Sequence, residues 1–592
     1  MQFPPTPIDA PSVGAGVHAF RKHSPFLRSS ISPRRPLMLP HPRRLLIPSA
    51  LALLAACGSD GPVEPAGGAF SLGQSLAVES GRDAKVVGGA SEGTYVAVVV
   101  NLALDSTGQS SYSLRANGIT SGDRGPFATR IPIADAQRPP SDAPTHDEAF
   151  ESRLRDRERA QLTPRFASAR QLSASSIPAL PATVSVGDLV TVNVNAQDAC
   201  TNPTYHVARV VAIGSKALIL NDTLNPKPGF STADFQRFAA RFDTLVYPMD
   251  VAAFGDPTDI DKNGHIAIVF TRAVNELTAR GAGSYVGGLT FSRDLFPQAG
   301  TARATACASS NEGEYFYLMA PDPNGTINGN RRSNAFVDSS STGVIAHEFV
   351  HLINASRKLY VNTAAPKFEE KWLDEGLAHM AEELLFYRES GLSPRNNITY
   401  QTLVSSTRVR NAFLNDMAGN QGRLRDYLSS PSDGSPYRVG DSLSTRGAAW
   451  SLLRYLADRT RTTDGDVWSR LVNNTATGVA NLQLVFGDVA PLVRDWNVSN
   501  LIDDSAPASV ELSQKSWNWH SIFGGIDGLA PLYPLPVNAM SPATASYPGA
   551  VVSGGAAFYN FTVPANGTAT LSLAGQSGAA ASNLQLVIVR TK

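Results

Sequence analysis

Two short segments constrain this chain more than anything else in it. Residues 347–351 read His-Glu-Phe-Val-His, and residues 372–379 read Trp-Leu-Asp-Glu-Gly-Leu-Ala-His. On a helix, His347 and His351 fall one turn apart on one face, so both imidazoles can reach a common point. Glu348 sits about 100° round the same helix, beside that point. Glu375, on a following helix, offers a carboxylate. Two His and one Glu leave a fourth tetrahedral position open for water, which is the donor set of a catalytic zinc site.

Local patterns put both segments on helices. The run Ser340 to Ala346 supplies a hydroxyl N-cap candidate and then an apolar stripe. From Phe368 to Arg388, Leu373, Leu377, Met380, Ala381 and Leu384 share one face, and Glu375 and Glu382 share another. The metzincin pattern needs Gly at 354 and His at 357, but the chain has Asn354 and Arg357.

The pair resembles the gluzincin clan of zinc metallopeptidases, in which the first motif is followed by a helix carrying a glutamate ligand. Trp372 to Ala378 resembles that clan's W-L-[ND]-E-G-[FL]-[AS] stretch. Within the clan the chain is similar to the bacterial hyicolysin family, over roughly 205–500, including Ala208 to Ile213, Phe235 to Phe254, Asp259 to Phe270 and Gly447 to Thr460. The resemblance implies an α+β, thermolysin-like catalytic domain with a β-sheet N-terminal half and a helical C-terminal half. It implies one Zn2+ held by His347, His351 and Glu375, with Glu348 moving the proton of a bound water to the leaving amine. Glu382 is then expected to support a ligating histidine. His379 shares the face of Glu375 and could support the site, touch substrate or compete as a ligand, and the role of Asp374 is open. An oxyanion donor is expected among Tyr437, Arg446 and Tyr455. The strand Glu314 to Ala320 is expected to form the cleft's upper edge and pair with substrate backbone. The G-x-M-E-N segment of related aminopeptidases is absent, which argues for an endopeptidase.

The chain has 592 residues, 51 basic and 51 acidic, and so no net formal charge, which argues against nucleic acid as a partner. Residues 1–56 are expected to be a signal region. Residues 1–37 lack an apolar run, and Met38 is the expected start. Arg43-Arg44 is followed by an apolar run, Leu45 to Ala56, too short to span a membrane as a mature helix. Leu54-Ala55-Ala56-Cys57 resembles a bacterial lipobox. Cys57 is therefore expected to carry a lipid anchor to a bacterial outer membrane or cell surface, with plain secretion as the alternative. Cys200 and Cys307 then remain as a candidate disulfide.

The expected organisation is a tether and small β domain over 57–135, a charged linker or propeptide over 136–180 with one solvated helix, the peptidase over 181–508 and a C-terminal β-sandwich over 509–592. Gly89 to Gly93 matches G-x-S-x-G but lacks a following helix, so it is expected to be a hairpin turn and not a nucleophile elbow. Asp259, Asp261 and Asn263 with Gly264 form the first half of a calcium loop, a candidate Ca2+ site, although its twelfth position is Phe270. The functional expectation is a surface-anchored zinc endopeptidase acting on proteins or peptides. The alternative is a catalytically idle, metal-stabilised surface-binding lipoprotein.

Overall fold

A computed structural model of the chain describes residues 68–121, 145–146, 148–166, 183–301, 304–439, 442–526 and 533–592. The signal region and Cys57 lie outside the described residues. The architecture mixes α and β throughout. Strands β1 (Ser75–Glu79), β2 (Asp83–Val87), β3 (Gly93–Asn101) and β4 (Gln109–Asn117) come first, followed by a two-residue strand β5 (Thr145–His146) and helix α1 (Glu148–Leu162).

The central part holds a six-stranded sheet. Its strands are β6 (Leu189–Asn193), β7 (Tyr205–Ile213), β8 (Ala217–Asp222), β9 (Ile266–Phe270), β11 (Gly288–Leu289) and β12 (Tyr315–Leu318), with the short β10 (Ser284–Tyr285) standing outside it. The order is β11-β12-β9-β8-β7-β6, and β8, β9 and β12 run parallel. Every residue of β9 and β12 is buried, which explains why these strands read as unbroken apolar runs without alternation. The loop after β6 is tied to the segment before β12 by a Cys200–Cys307 disulfide, with Cα atoms 4.8 Å apart. β12 is not the free edge expected of it. β11 pairs with it through Gly288↔Leu318 and Leu289↔Tyr317, so the edge passes to β11 and the residues around it.

Helix α2 (Thr232–Arg241) covers this sheet, and α3 (Tyr247–Phe254) and α4 (Arg272–Glu276) follow. The two motif-bearing helices are α5 (Asn334–Ser356) and α6 (Lys371–Ser390), packed side by side. α5 starts earlier than expected. Its N-cap is Ser333, which accepts from Phe336 N, and Ser340 lies inside the helix. The hydroxyls of Ser340 and Ser341 donate back to the carbonyls of Phe336 and Val337, so they neither cap nor break it. α6 starts at Lys371 and not at Phe368, whose ring is held in an edge-on cluster with Phe166 and Phe296. α6 ends at Gly391, whose φ of 79° is a left-handed C-cap. The helical half continues through α7 (Tyr400–Leu403), α8 (Thr407–Ala412), α9 (Ala418–Ser429) and α10 (Leu443–Ala457) and on to Ile526.

Strands β13 (Asn538–Ala539), β14 (Ser546–Val552), β15 (Ala556–Val563), β16 (Thr568–Ala574) and β17 (Leu584–Arg590) end the described chain. They do not make a sandwich of their own. One sheet is ordered β1-β17-β3-β15-β13 and the facing one β14-β4-β16-β2. Among the described residues, each of β1 to β4 pairs in these sheets only with C-terminal strands. The two separate flanking domains expected from the sequence are thus one β-sandwich built from both ends. Gly89 to Gly93 correspondingly links β2 in one sheet to β3 in the other, so it is a crossing and not a hairpin.

β3 shows why the two ends meet. Tyr95, Ala97 and Val99 point into the sandwich interior, while Val96, Val98 and Val100 join the core of the helical body. Both faces are buried, so Tyr95 to Val100 is apolar throughout and acts as the joint between the sandwich and the helical body. Among the described residues, no helix is long and apolar enough to cross a membrane.

A chain ending at residue 535 would leave β3 and β4 without any partner strand. We expect it to be insoluble or to melt far below the full chain in a thermal denaturation series. A soluble truncated protein with an unchanged melt would contradict the interleaved topology.

Candidate metal centre

α5 and α6 turn their polar residues towards one point. His347 Nε2 and His351 Nε2 are 3.1 Å apart, and they lie 3.5 and 3.7 Å from Glu375 Oε2. The outer nitrogen of each ring is held by a carboxylate. His347 Nδ1 is 2.9 Å from Glu382 Oε1, and His351 Nδ1 is 2.8 Å from Asp374 Oδ2. A carboxylate on Nδ1 fixes each ring and turns its Nε2 inward, which is the arrangement a metal-binding histidine needs. Asp374 is itself held by the Asn354 side-chain amide at 2.6 Å. Asp374 thus has a partner, a role that its place in the sequence left open.

The donor atoms of His347, His351 and Glu375 all lie within 4.8 Å of one another. Glu375 is fully buried and neither of its oxygens accepts a hydrogen bond, although Arg446 Nη1 stands 2.8 Å from Oε2. Its charge is compensated by Arg446, and its oxygens still face the two imidazole nitrogens, where a divalent cation could take one of them as a ligand. The residues present therefore fit a tetrahedral N2O site with one position left for another ligand.

The electrostatics follow from these contacts. Burial opposes ionisation of Glu375, yet the charges of Arg446 and His351 and the nearby His347 ring hold its carboxyl well below the usual range. Burial works against a charged His347, but the neighbouring Glu375 and Glu382 carboxylates raise it well above its ordinary value. Glu382 is held low, against burial, by His379 and His347. His379 is pushed down to about 4, first by burial and then by Arg423, and is neutral at pH 7. It lies with its ring 4.8 Å from that of His347 and its Nδ1 3.2 Å from Glu382 Oε2. His347, His379 and Glu382 thus form a second cluster, on the far side of His347.

Glu348 is wholly buried. Its Oε2 accepts from Thr290 N at 2.7 Å, and its carbonyl accepts from Thr290 Oγ1 at 2.8 Å. Thr290 follows β11 directly, so the strand edge and Glu348 are locked to each other. Of the three expected oxyanion donors, only Arg446 is at the site. Tyr437 donates to Ala103 O and packs on Trp372, and Tyr455 donates to Glu511 O.

One contributor carries no sequence signature. α1 is not solvated. Its Glu151, Arg155 and Glu158 are 2, 4 and 4% exposed. Glu151 Oε2 is 2.6 Å from Arg446 Nη1, and a Glu151 oxygen lies within 4.8 Å of donor atoms of His347 and Glu348. Arg155 stands 3.7 Å from both Glu348 Oε2 and Glu375 Oε1. α1 has no clear apolar face, so the sequence pattern suggests water. Its charges face opposite charges instead.

The calcium loop is also rearranged. Asp259 and Asp261 meet Glu314, with oxygens within 4.8 Å of one another. Asn263 is not part of that group. Its Oδ1 accepts from His265 N and its Nδ2 donates to Asp261, both at 2.6 Å. Glu314 is buried beside β12, and its Oε2 accepts no hydrogen bond. Burial lifts Asp261 to about 6 and Glu314 to about 8.

No family model matches the chain. Over 143 residues it is 28% identical to the neutral metalloprotease ShpI of Staphylococcus hyicus, a stretch covering 24% of this chain and 29% of that protein. At that identity and coverage the similarity supports kinship with a metalloprotease family and nothing finer.

Proposed function

We propose that this chain is a zinc-dependent endopeptidase, with His347, His351 and Glu375 as ligands and Glu348 as the proton-transferring group. The observation that carries the reading is the convergence of two carboxylate-braced imidazoles on a buried carboxylate, with a second buried carboxylate, Glu348, alongside. The partial similarity to a neutral metalloprotease agrees with it. A bound zinc would supply Lewis acidity and lower the pKa of a water in its open position.

The chain's own residues do the rest. Glu348, steered by Thr290 N, takes the proton of the attacking water and delivers it to the leaving amine. Arg446 is the candidate donor for the charge developing on the scissile carbonyl, because it is the one cation of the three candidates that reaches the site. Asp374 and Glu382 hold the histidine rings in register, and the β11 edge is placed to align an extended peptide. Export and lipid anchoring through Cys57 belong to the same proposal. They would put the enzyme where protein or peptide substrates are met outside the cytoplasm.

The competing reading is an idle, metal-stabilised binding lipoprotein. Such a protein would keep the ligands but make no use of Glu348. Glu348→Gln should retain stoichiometric zinc and lose about 100-fold or more in peptide cleavage, in line with loss of a general acid–base group. A chelator should abolish the wild-type rate, and added zinc should restore it. Equal rates for Glu348→Gln and wild type, measured on a casein or peptide-library substrate, would favour the idle protein.

We further propose that Asp259, Asp261 and Glu314 hold a Ca2+ ion, since oxygen-only donors of this kind suit a hard cation. The pH dependence has a definite sign. Both carboxyls are raised in the folded chain, so without the cation their contribution to stability is complete below about pH 4. It fades as pH rises through 6 for Asp261 and 8 for Glu314. Calcium should therefore raise the thermal midpoint, and raise it more at pH 8 than at pH 5. Glu314→Gln should lose this response, and an undiminished calcium shift in that variant would remove Glu314 from the site.

A further inference from the structure

The face of α5 that carries His347 continues away from the metal centre. Val344, Ser340 and Phe336 precede His347 by three, seven and eleven residues, so they share that face. At about 1.5 Å of rise per residue, Ser340 stands about 10 Å from His347 along the helix. An extended peptide covers that distance in about three residues.

Opposite this face stand Tyr285 of β10 and the loop just ahead of α5. The rings of Tyr285 and Phe336 meet edge-on, with centroids 5.3 Å apart. The Tyr285 hydroxyl is raised by burial and drawn back by the Ser340 hydroxyl and by the charges of Arg332 and Arg423. Glu382, which braces His347, acts on it too, so Tyr285 shares the electrostatic surroundings of the metal centre. The half-buried Arg332 lies over both rings, its guanidinium carbon 5.4 Å from the Tyr285 centroid and 5.5 Å from that of Phe336. A guanidinium stacked in this way is fixed in direction and partly stripped of water. One of its donors is used on Arg331 O at 3.0 Å, and the rest of the planar fork suits a carboxylate.

The loop that carries Arg332 is firmly held. Asp322 and Arg332 exchange backbone hydrogen bonds at 2.7 and 2.8 Å. Asn328 and Asn330 donate to Thr278 O at 2.8 and 3.1 Å, which joins this loop to the one after α4. That second loop brings Arg280 alongside, so close that a Cβ at Gly329 would stand 3.3 Å from its Nε. Arg280, Arg331 and Arg332 are thus gathered on two joined loops. Among the described residues none of the three is paired with a carboxylate. The acids of the neighbouring elements are engaged elsewhere. Glu276 pairs with Arg272 at 2.7 Å, Asp338 with Arg237 at 3.0 Å, and Glu382 with His347 at 2.9 Å and Arg423 at 3.6 Å. Asp322 accepts from Thr326 Oγ1 at 3.1 Å and from Ile327 N at 2.7 Å. Uncompensated like charges of this kind repel one another and attract acidic chains.

We infer that Arg332, backed by Arg280 and Arg331, is a specificity-determining residue that selects polypeptides carrying an Asp or Glu about three residues from the scissile bond. This rests on the zinc-peptidase reading of the metal centre and names the class of chain that the centre takes. The substrate carboxylate pairs with the Arg332 fork, which Tyr285 and Phe336 hold in place. A Lys or Arg at the same position meets three like charges and is rejected.

The test uses the full-length, zinc-loaded protein and quenched-fluorescence peptides built on one casein sequence. Glu, Gln or Lys is placed in turn at each of four positions on either side of the scissile bond. At one position, two to four residues from that bond, kcat/KM should fall in the order Glu, Gln, Lys. Glu should exceed Lys about ten-fold or more, as expected of a charge-assisted pair. Arg332→Gln should flatten this order and Arg332→Glu should invert it, at that position alone, in proteins whose melting and zinc content match wild type. Raising the salt to about 1 M should shrink the wild-type ratio, a check that needs no variant. Equal rates for the Glu and Lys peptides at every position, or an order that survives Arg332→Glu, would overturn the inference. Binding separates this outcome from failure of the zinc-peptidase reading. On zinc-loaded Glu348→Gln, fluorescence anisotropy should show the Glu peptide held more tightly than the Lys peptide, and Arg332→Glu added to that background should reverse the ranking. That binding pattern without any cleavage by wild type would uphold Arg332 and remove the peptidase, whereas charge-blind cleavage would do the opposite.

Discussion

Everything at the centre of this molecule depends on one constraint: two imidazoles one helical turn apart must aim their inner nitrogens at a carboxylate on a different helix. That cannot be met by α5 alone. Asp374 and Glu382 grip the outer nitrogens from α6, and Glu375 of the same helix faces the inner ones. The seven-residue spacing of Glu375 and Glu382, two turns of helix, lets one element serve both sides of His347. Arg446 from α10 and Arg423 from α9 then balance the acid that α6 brings in.

The site's residues were legible in the sequence because they are local. A one-turn spacing and a two-turn spacing on helices translate directly into shared faces. Glu375 and Glu382 do meet His347 as those spacings require. The misses share a different cause. Glu151, Thr290 and Glu314 reach their clusters through tertiary contact from segments far away in the chain, and no periodicity marks them. α1 was misread because a helix rich in Arg and Glu looks solvated whether its charges face water or a charged cleft. Ser340 was misread because a hydroxyl inside a helix can satisfy itself on the preceding turn and so leaves no mark on the pattern.

The fold shows the same division. Individual strands were legible from their apolar runs, including Tyr95 to Val100 and Ala557 to Val563. Their partnership was not, because β3 and β15 are adjacent only after the whole central body has been threaded between them. The unbroken apolarity of β3 was the available clue. A strand with one wet face alternates, and β3 does not, because its second face rests on the helical body. The chain ends are therefore committed to one structure, the β-sandwich, with the central body between them in the chain.

The claim on which the account turns is that a single zinc sits between α5 and α6. Diffraction from crystals of the zinc-loaded protein, collected on both sides of the zinc absorption edge, addresses it directly. The account predicts one anomalous peak within bonding distance of His347 Nε2, His351 Nε2 and a Glu375 oxygen. A peak among His347, His379 and Glu382 instead, or no peak in α5 and α6, would contradict it.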